Sequence, residues 1–182
     1  INTAIVGIGH LGSRHLKVYC EQLSEKVNLV GVCDVKPERT QKLARHYKVK
    51  FFPDYRELID KVEAVNICVP TTLHHEVARD FLKKGVHTFI EKPITLDLAQ
   101  ADDLIRLAKN KNLKLQVGHV ERFNSAFQAI QPVARNPIFI ECHRLNQFPN
   151  RSLDIGVVMD LMIHDIDIIL GLVNSPLTKV DP

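Results

Sequence analysis

Through its first two-thirds, the chain alternates two kinds of hydrophobic pattern. Short, almost wholly apolar runs occupy Ala4–Ile8, Leu29–Asp34, Ala64–Val69, Val86–Ile90 and Leu113–Val117, with a briefer one at Lys50–Phe52. Runs of this length and character are what strands buried on both faces require. Between them lie segments with helical spacing at Leu11–Gln22, Pro37–Tyr47, Asp54–Asp60, His74–Lys83 and Asp97–Lys109. In the last of these, Leu98, Ala101, Leu104, Ile105 and Ala108 share one stripe. Asp97 followed by Gln100 has the form of a capping box, and Pro37 stands at a first helical position, where its missing N–H costs little.

Buried strands regularly separated by helices predict an α/β fold, a doubly wound parallel sheet covered on both faces, over residues 1–118. After Gly118 the rhythm changes. Phe123–Ile130 reads as a helix, Ile138–Leu145 as an extended strand and Gly156–Leu170 as a strongly apolar helix, so residues 119–182 read as the beginning of a second domain. A start on Ile1 and a stop just past a helix-like segment read as a partial chain.

Composition narrows the class. The 182 residues are 45% hydrophobic and 25% charged, proportions of a soluble globular protein able to bury a core without disulfides. No apolar run approaches the roughly 18–20 residues of a membrane-spanning helix. Cys20, Cys33, Cys68 and Cys142 are scattered with no C-x-x-C pair. That argues against a zinc ribbon or a secreted disulfide scaffold and fits a cytoplasmic location. The net charge of +3 is spread along the chain and does not point to nucleic acid.

Gly7-Ile8-Gly9-His10-Leu11-Gly12 is a G-x-G-x-x-G turn between the first predicted strand and helix. Such a turn brings backbone close to a pyrophosphate and aims a helix N-terminus at it. Asp34 ends the second strand, at the spacing where a ribose-binding acid is expected. An acid there accepts from both ribose hydroxyls and repels a 2′-phosphate, which favours NAD over NADP. The loop Pro70-Thr71-Thr72-Leu73-His74 follows a central strand at the ligand-binding edge. Thr71 or Thr72 can equally serve as a helix cap there. Glu91-Lys92-Pro93 ends the next strand at the same edge. Lys92 is either a surface cation or an ammonium that holds a substrate hydroxyl and helps remove its proton.

Within the last predicted helix, Asp160, His164 and Asp167 fall at i, i+4 and i+7, a polar line on an apolar helix. Ionisable groups in such a place are costly unless paired or used. Three readings stand: a hydrogen-bonded Asp–His network, a metal site, and a general base at His164 oriented by a carboxylate, the last being favoured. His15, His46, His75 and His87 read as surface or packing residues.

Together, in this order, these motifs resemble the glucose–fructose oxidoreductase and inositol dehydrogenase family of sugar dehydrogenases. The resemblance implies an N-terminal Rossmann domain followed by an α/β substrate domain on a large, mostly antiparallel sheet, through which members often oligomerise. It implies that Gly7, Gly9, His10, Leu11, Gly12, Asp34, Pro70, Thr71, Thr72, His74, Glu91 and Lys92 line NAD. It also implies that Lys92 and His164 are catalytic, with Asp160 holding the sugar. Met162 stands where many members have glycine. The segments Val117–Asn124 and Val158–Asp167 resemble the branch that oxidises the 3-hydroxyl of UDP-N-acetylglucosamine on the way to lipid A. That likeness would put Arg122 and Asn124 near cofactor and substrate, with Arg144 or Arg151 as candidates to meet a diphosphate. Another polyol or sugar, such as inositol or a hexose, and a non-catalytic NAD-binding protein of the same fold are the alternatives.

Overall fold

The computed structural model describes residues 1–134, 137–145, 155–173 and 175–181, and Arg151 lies outside them. The chain divides into two compact units, Ile1–Gly118 and His119–Pro182.

The first unit is a six-stranded parallel sheet of β1 (Asn2–Val6), β2 (Asn28–Cys33), β3 (Phe51–Phe52), β4 (Ala64–Ile67), β5 (His87–Glu91) and β6 (Leu115–Gly118). Its order is β3-β2-β1-β4-β5-β6, so the chain winds outward from β1 in both directions. Helices α1 (His10–Glu21), α2 (Pro37–His46), α3 (His74–Lys83) and α4 (Leu98–Asn110) connect the strands. The near-continuous apolar strands are explained by two cores, one on each face. Ala4, Val6, Val65, Ile67 and Ile90 point into one, with Phe81 and Leu104 from α3 and α4. Ile5 and Val32 point into the other, with Leu16 and Ala44 from α1 and α2. Successive residues of one strand thus serve opposite cores, as a period of two demands. Asp97 caps α4 by accepting the Gln100 N–H at 2.9 Å.

Several boundaries differ from the sequence reading, each for a local reason. β1 ends at Val6 because Gly7, at φ +91°, leaves the extended region. Glu91 belongs to β5 itself. Residues 55–61 form a 3₁₀ helix behind Asp54, whose carboxylate accepts the Arg56 N–H at 2.9 Å.

The second unit contains α5 (Ser125–Ile130), preceded by a 3₁₀ turn over Val120–Phe123, and α6 (Ile163–Leu172). The apolar segment predicted as one helix is wound as a π turn over Val158–Met162 before it becomes α6. The extended strand expected at Ile138–Leu145 is not formed: these residues belong to no sheet. A strand exists only through a hydrogen-bonded neighbour, and no described residue of this unit supplies one. Among the described residues, no helix is long and apolar enough to cross a membrane.

Candidate active site

The carboxyl ends of β1, β2, β4 and β5 collect the motifs of the first unit. A Cβ on Gly7 would stand 2.6 Å from the Cys68 carbonyl, and one on Gly12 would collide with the Gly7 carbonyl oxygen. These two glycines let the turn, the end of β4 and the start of α1 close on one another. Gly9 is different: a Cβ there would meet nothing within 4 Å. Its bare backbone faces open space at the N-terminus of the twelve-residue α1, where unpaired N–H groups favour an anion. His10 is exposed and Leu11 half-buried beside it. The turn therefore fits a pyrophosphate.

Asp34 sits immediately past β2. Its Oδ2 accepts the Ile8 N–H at 2.6 Å and its Oδ1 the Lys36 N–H at 2.8 Å. The acid thus holds the glycine turn from the adjacent strand and keeps further lone pairs for a ribose.

The loop after β4 and the turn after β5 are tied together by His74. Its ring is 1% exposed, with Nδ1 2.8 Å from the Pro93 carbonyl oxygen and Nε2 3.0 Å from that of Val69. His74 thus lies between the two backbones, and an imidazole with a single ring hydrogen donates to one of these carbonyls. Thr71 is buried and Thr72 exposed in the 3₁₀ turn Thr71–Leu73, which has no side-chain cap, and Pro70 precedes it as an exposed residue. The capping role considered for the threonines is therefore not the one they play. Lys92 is half-buried, and its peptide bond to Pro93 is cis.

Glu91, 5% exposed, is held from two sides. Its Oε1 lies 2.9 Å from His15 Nε2, and its Oε2 accepts the Lys92 N–H at 3.3 Å. His15 Nδ1 is 2.7 Å from Asn66 Nδ2. The sequence reading left His15 among surface or packing residues and passed over Asn66. Two signals point to them: His15 follows Gly12 by one helical turn, and Asn66 is a polar residue inside an apolar buried strand. Such a residue requires a partner.

The donor atoms of His15, Cys68 and Glu91 lie within 4.8 Å of one another, close enough to consider a metal. The group is already satisfied by the His15–Glu91 hydrogen bond, and burial pushes the Cys68 thiol well above its ordinary range.

In the second unit the carboxylates of α6 take partners that the helical spacing does not reveal. Asp167, a buried residue, accepts from Arg122 Nε at 2.7 Å and Nη2 at 2.6 Å. His119 Nδ1 stands 3.8 Å from the same carboxylate. The Arg122 hydrogen bonds hold the Asp167 carboxyl below the usual carboxylate range despite its burial, with smaller pulls from His119 and His164. Asp165 is likewise lowered by Arg144, which donates to both its oxygens at 2.8–3.0 Å. Asp160 and His164 are half-buried, Asp160 within the π turn and His164 at the start of α6. Asn124 caps α5, its Oδ1 accepting the Ala126 N–H at 3.0 Å, while its Nδ2 donates to Glu121. Arg122 and Arg144, candidates for substrate or diphosphate, thus each pair through Nε and Nη2 with one carboxylate of α6, Asp167 and Asp165.

Comparison with known proteins agrees with this geometry. The chain is 40% identical over 176 residues to the UDP-N-acetylglucosamine 3-dehydrogenase of Acidithiobacillus ferrooxidans, covering 96% of this chain and 55% of the relative. A solved structure of that enzyme superimposes with a TM-score of 0.87 at 39% identity, covering 98% of this chain and 58% of the other. An inositol 2-dehydrogenase/D-chiro-inositol 3-dehydrogenase of Lactiplantibacillus plantarum is 29% identical over 97% of this chain and 53% of its own length. The chain spans about half the length of these curated relatives. Residues 1–119 match the family model described as an oxidoreductase family with an NAD-binding Rossmann fold. With its glycine turn, Asp34 and parallel sheet in place, the chain belongs to this GFO/IDH/MocA oxidoreductase family.

Proposed function

We propose that the protein containing this chain is an NAD-dependent dehydrogenase of a sugar secondary alcohol, and that its substrate group is the 3-hydroxyl of UDP-N-acetylglucosamine. The observation that carries this reading is the 40% identity, sustained over 96% of the chain, to an enzyme of that name. The glycine turn and Asp34 support the cofactor half. Gly9 opens backbone to the pyrophosphate, Asp34 accepts from the adenosine ribose, and the loops carrying Thr71, Thr72 and Glu91 line the nicotinamide end.

Bound NAD supplies a hydride acceptor. On the protein's side, Lys92 polarises the substrate hydroxyl through its ammonium, and His164 takes the hydroxyl proton as general base. Asp160 holds the sugar. Asp167, fixed by Arg122, sets the electrostatics of the His164 helix turn. The hydroxyl carbon loses its hydride and becomes a ketone, so hydride, proton and charge balance. On this reading the protein works in the cytoplasm as a homo-oligomer, and its keto product goes on to transamination towards lipid A.

The test is NADH formation when UDP-N-acetylglucosamine is added to the complete protein with NAD, repeated with NADP and with the Lys92→Ala variant. NADH from NAD alone, lost by at least about a hundredfold in Lys92→Ala with NADH binding retained, is the expected result. Full turnover in that variant removes Lys92 from the chemistry. A second reading, oxidation of an inositol or another polyol, has support from the relatives of about 29% identity. It becomes the leading one if inositols reduce NAD and the sugar nucleotide does not.

A further inference from the structure

A polar chain runs through the face of the sheet beneath α1 and ends at the lysine turn. Asn66 is 3% exposed in the middle of β4, and its amide nitrogen donates to His15 Nδ1 at 2.7 Å. That makes Nδ1 an acceptor, so a neutral ring carries its hydrogen on Nε2 and donates it to Glu91 Oε1 at 2.9 Å. The other oxygen, Oε2, accepts the Lys92 backbone N–H. The His15 ring also rests against Phe89, centroids 5.7 Å apart, which fixes its tilt. On the far side Gly118 of β6 leaves the space Glu91 occupies. A Cβ there would stand 3.1 Å from Glu91 Cδ and Oε1 and 2.9 Å from the Phe89 ring.

Placing three polar side chains on one face of a Rossmann sheet is expensive even when they pair with one another, and Asn66 Oδ1 has no partner among the described residues. Packing alone would be served by apolar residues, as it is on the rest of this face by Ile5, Ile8 and Leu16. The chain instead terminates on the backbone of the residue that follows β5, which the function above makes the catalytic lysine.

We propose that His15 is a positioning residue: as a neutral, two-ended hydrogen-bond bridge from Asn66 it orients the Glu91 carboxylate, which in turn fixes the backbone from which Lys92 projects. The catalytic consequence rests on the role given to Lys92 above; the structural link from His15 to Lys92 does not. An ammonium displaced by about 1 Å loses on the order of a hundredfold in rate while cofactor affinity, set mainly at the glycine turn, changes far less.

The experiment compares His15→Leu, His15→Gln and Gly118→Ala in the complete protein. Three quantities are read: the dissociation constant of NADH by fluorescence, kcat and KM with UDP-N-acetylglucosamine and NAD, and deuterium exchange in the peptide carrying Glu91 and Lys92. Leucine cannot bridge, whereas the glutamine amide accepts from Asn66 at its oxygen and donates to Glu91 from its nitrogen. His15→Leu is expected to lower kcat by roughly ten- to a hundredfold, with KM and NADH affinity within about threefold, and to speed exchange in that peptide. His15→Gln restores both to within about threefold. Gly118→Ala presses from the opposite side on Glu91 Oε1 and on the Phe89 ring that His15 rests against, so it disturbs the same bridge and gives the leucine signature, which covers the case where His15→Leu does not fold. Unchanged exchange and kcat in both His15→Leu and Gly118→Ala overturns the proposal. So does failure of glutamine to rescue, which would mean that the imidazole itself does chemistry, or an NADH affinity that falls as far as kcat. Faster exchange in His15→Leu together with full turnover in Lys92→Ala would keep the bridge and remove the catalytic reading of Lys92 instead.

Discussion

Asp34 reaches from the end of β2 to the glycine turn and accepts the Ile8 N–H at 2.6 Å, a bond between residues 26 positions apart. The acid proposed for the ribose is thus also a strut of the glycine turn proposed for the pyrophosphate. Asp34→Ala is expected to lose both. The NADH dissociation constant rises by roughly ten- to a hundredfold, the worth of one or two charge-assisted hydrogen bonds, and the preference for NAD over NADP narrows. Fluorescence titration with both reduced cofactors measures each effect. Unchanged affinity for both would remove Asp34 from the cofactor site.

Gly9 and Gly12 stand three residues apart and answer to different demands. A Cβ on Gly9 meets nothing within 4 Å, so Gly9→Ala should cost far less stability than Gly12→Ala while binding NADH more weakly. Gly12→Ala drives a methyl group into the Gly7 carbonyl and should cost about 1–3 kcal/mol of stability or more, with NADH binding lost as well. Thermal melts read beside cofactor titrations separate the two outcomes.

His74 joins the loop after β4 to the turn after Lys92 through the carbonyls of Val69 and Pro93. His74→Phe keeps a buried aromatic ring and removes the N–H that an imidazole with a single ring hydrogen donates to one of these two carbonyl oxygens. A loss of about 1–3 kcal/mol in urea unfolding is expected, the cost of one buried acceptor left unmet. Turnover should fall with it, because both loops border the proposed nicotinamide site.

Asp103 on α4 joins that helix to α3. It accepts from His75 Nε2, Arg106 Nη2 and Arg79 Nε, each at 3.0 Å. These bonds, that from His75 foremost, hold its carboxyl down to about 2. Because the folded value lies below the unfolded one, near 3.9, the stabilisation is complete above roughly pH 4 and is lost as pH falls towards 2. Asp103→Asn should cost about 1 kcal/mol near neutral pH and should flatten the acid limb of the stability curve. Urea midpoints from pH 6 down to about 2 in both proteins supply the comparison. Parallel acid limbs would assign the effect to other carboxylates.

The features legible in the chain itself are those set by neighbours in sequence. A strand buried on both faces must be apolar at consecutive positions, a crossover helix must carry its stripe at 3.6-residue spacing, and a turn that admits a pyrophosphate needs bare backbone. Hence the parallel sheet, the Gly7–Gly12 turn and the place of Asp34 are read directly from the residues. Pairings across long separations are of another kind. His15 meets Glu91 over 76 residues, Arg122 meets Asp167 over 45, and His74 meets Pro93 over 19. Each depends on which strands lie side by side and which helix face turns inward, and no local pattern encodes that. The same reason undid the strand expected at Ile138–Leu145: β propensity is local, but a strand is made by its partner. So the sheet edge that carries the glycine turn and Asp34 is written in the sequence. Which side chains brace it, and which carboxylates on α6 are already claimed by arginines, was decided only when the chain folded.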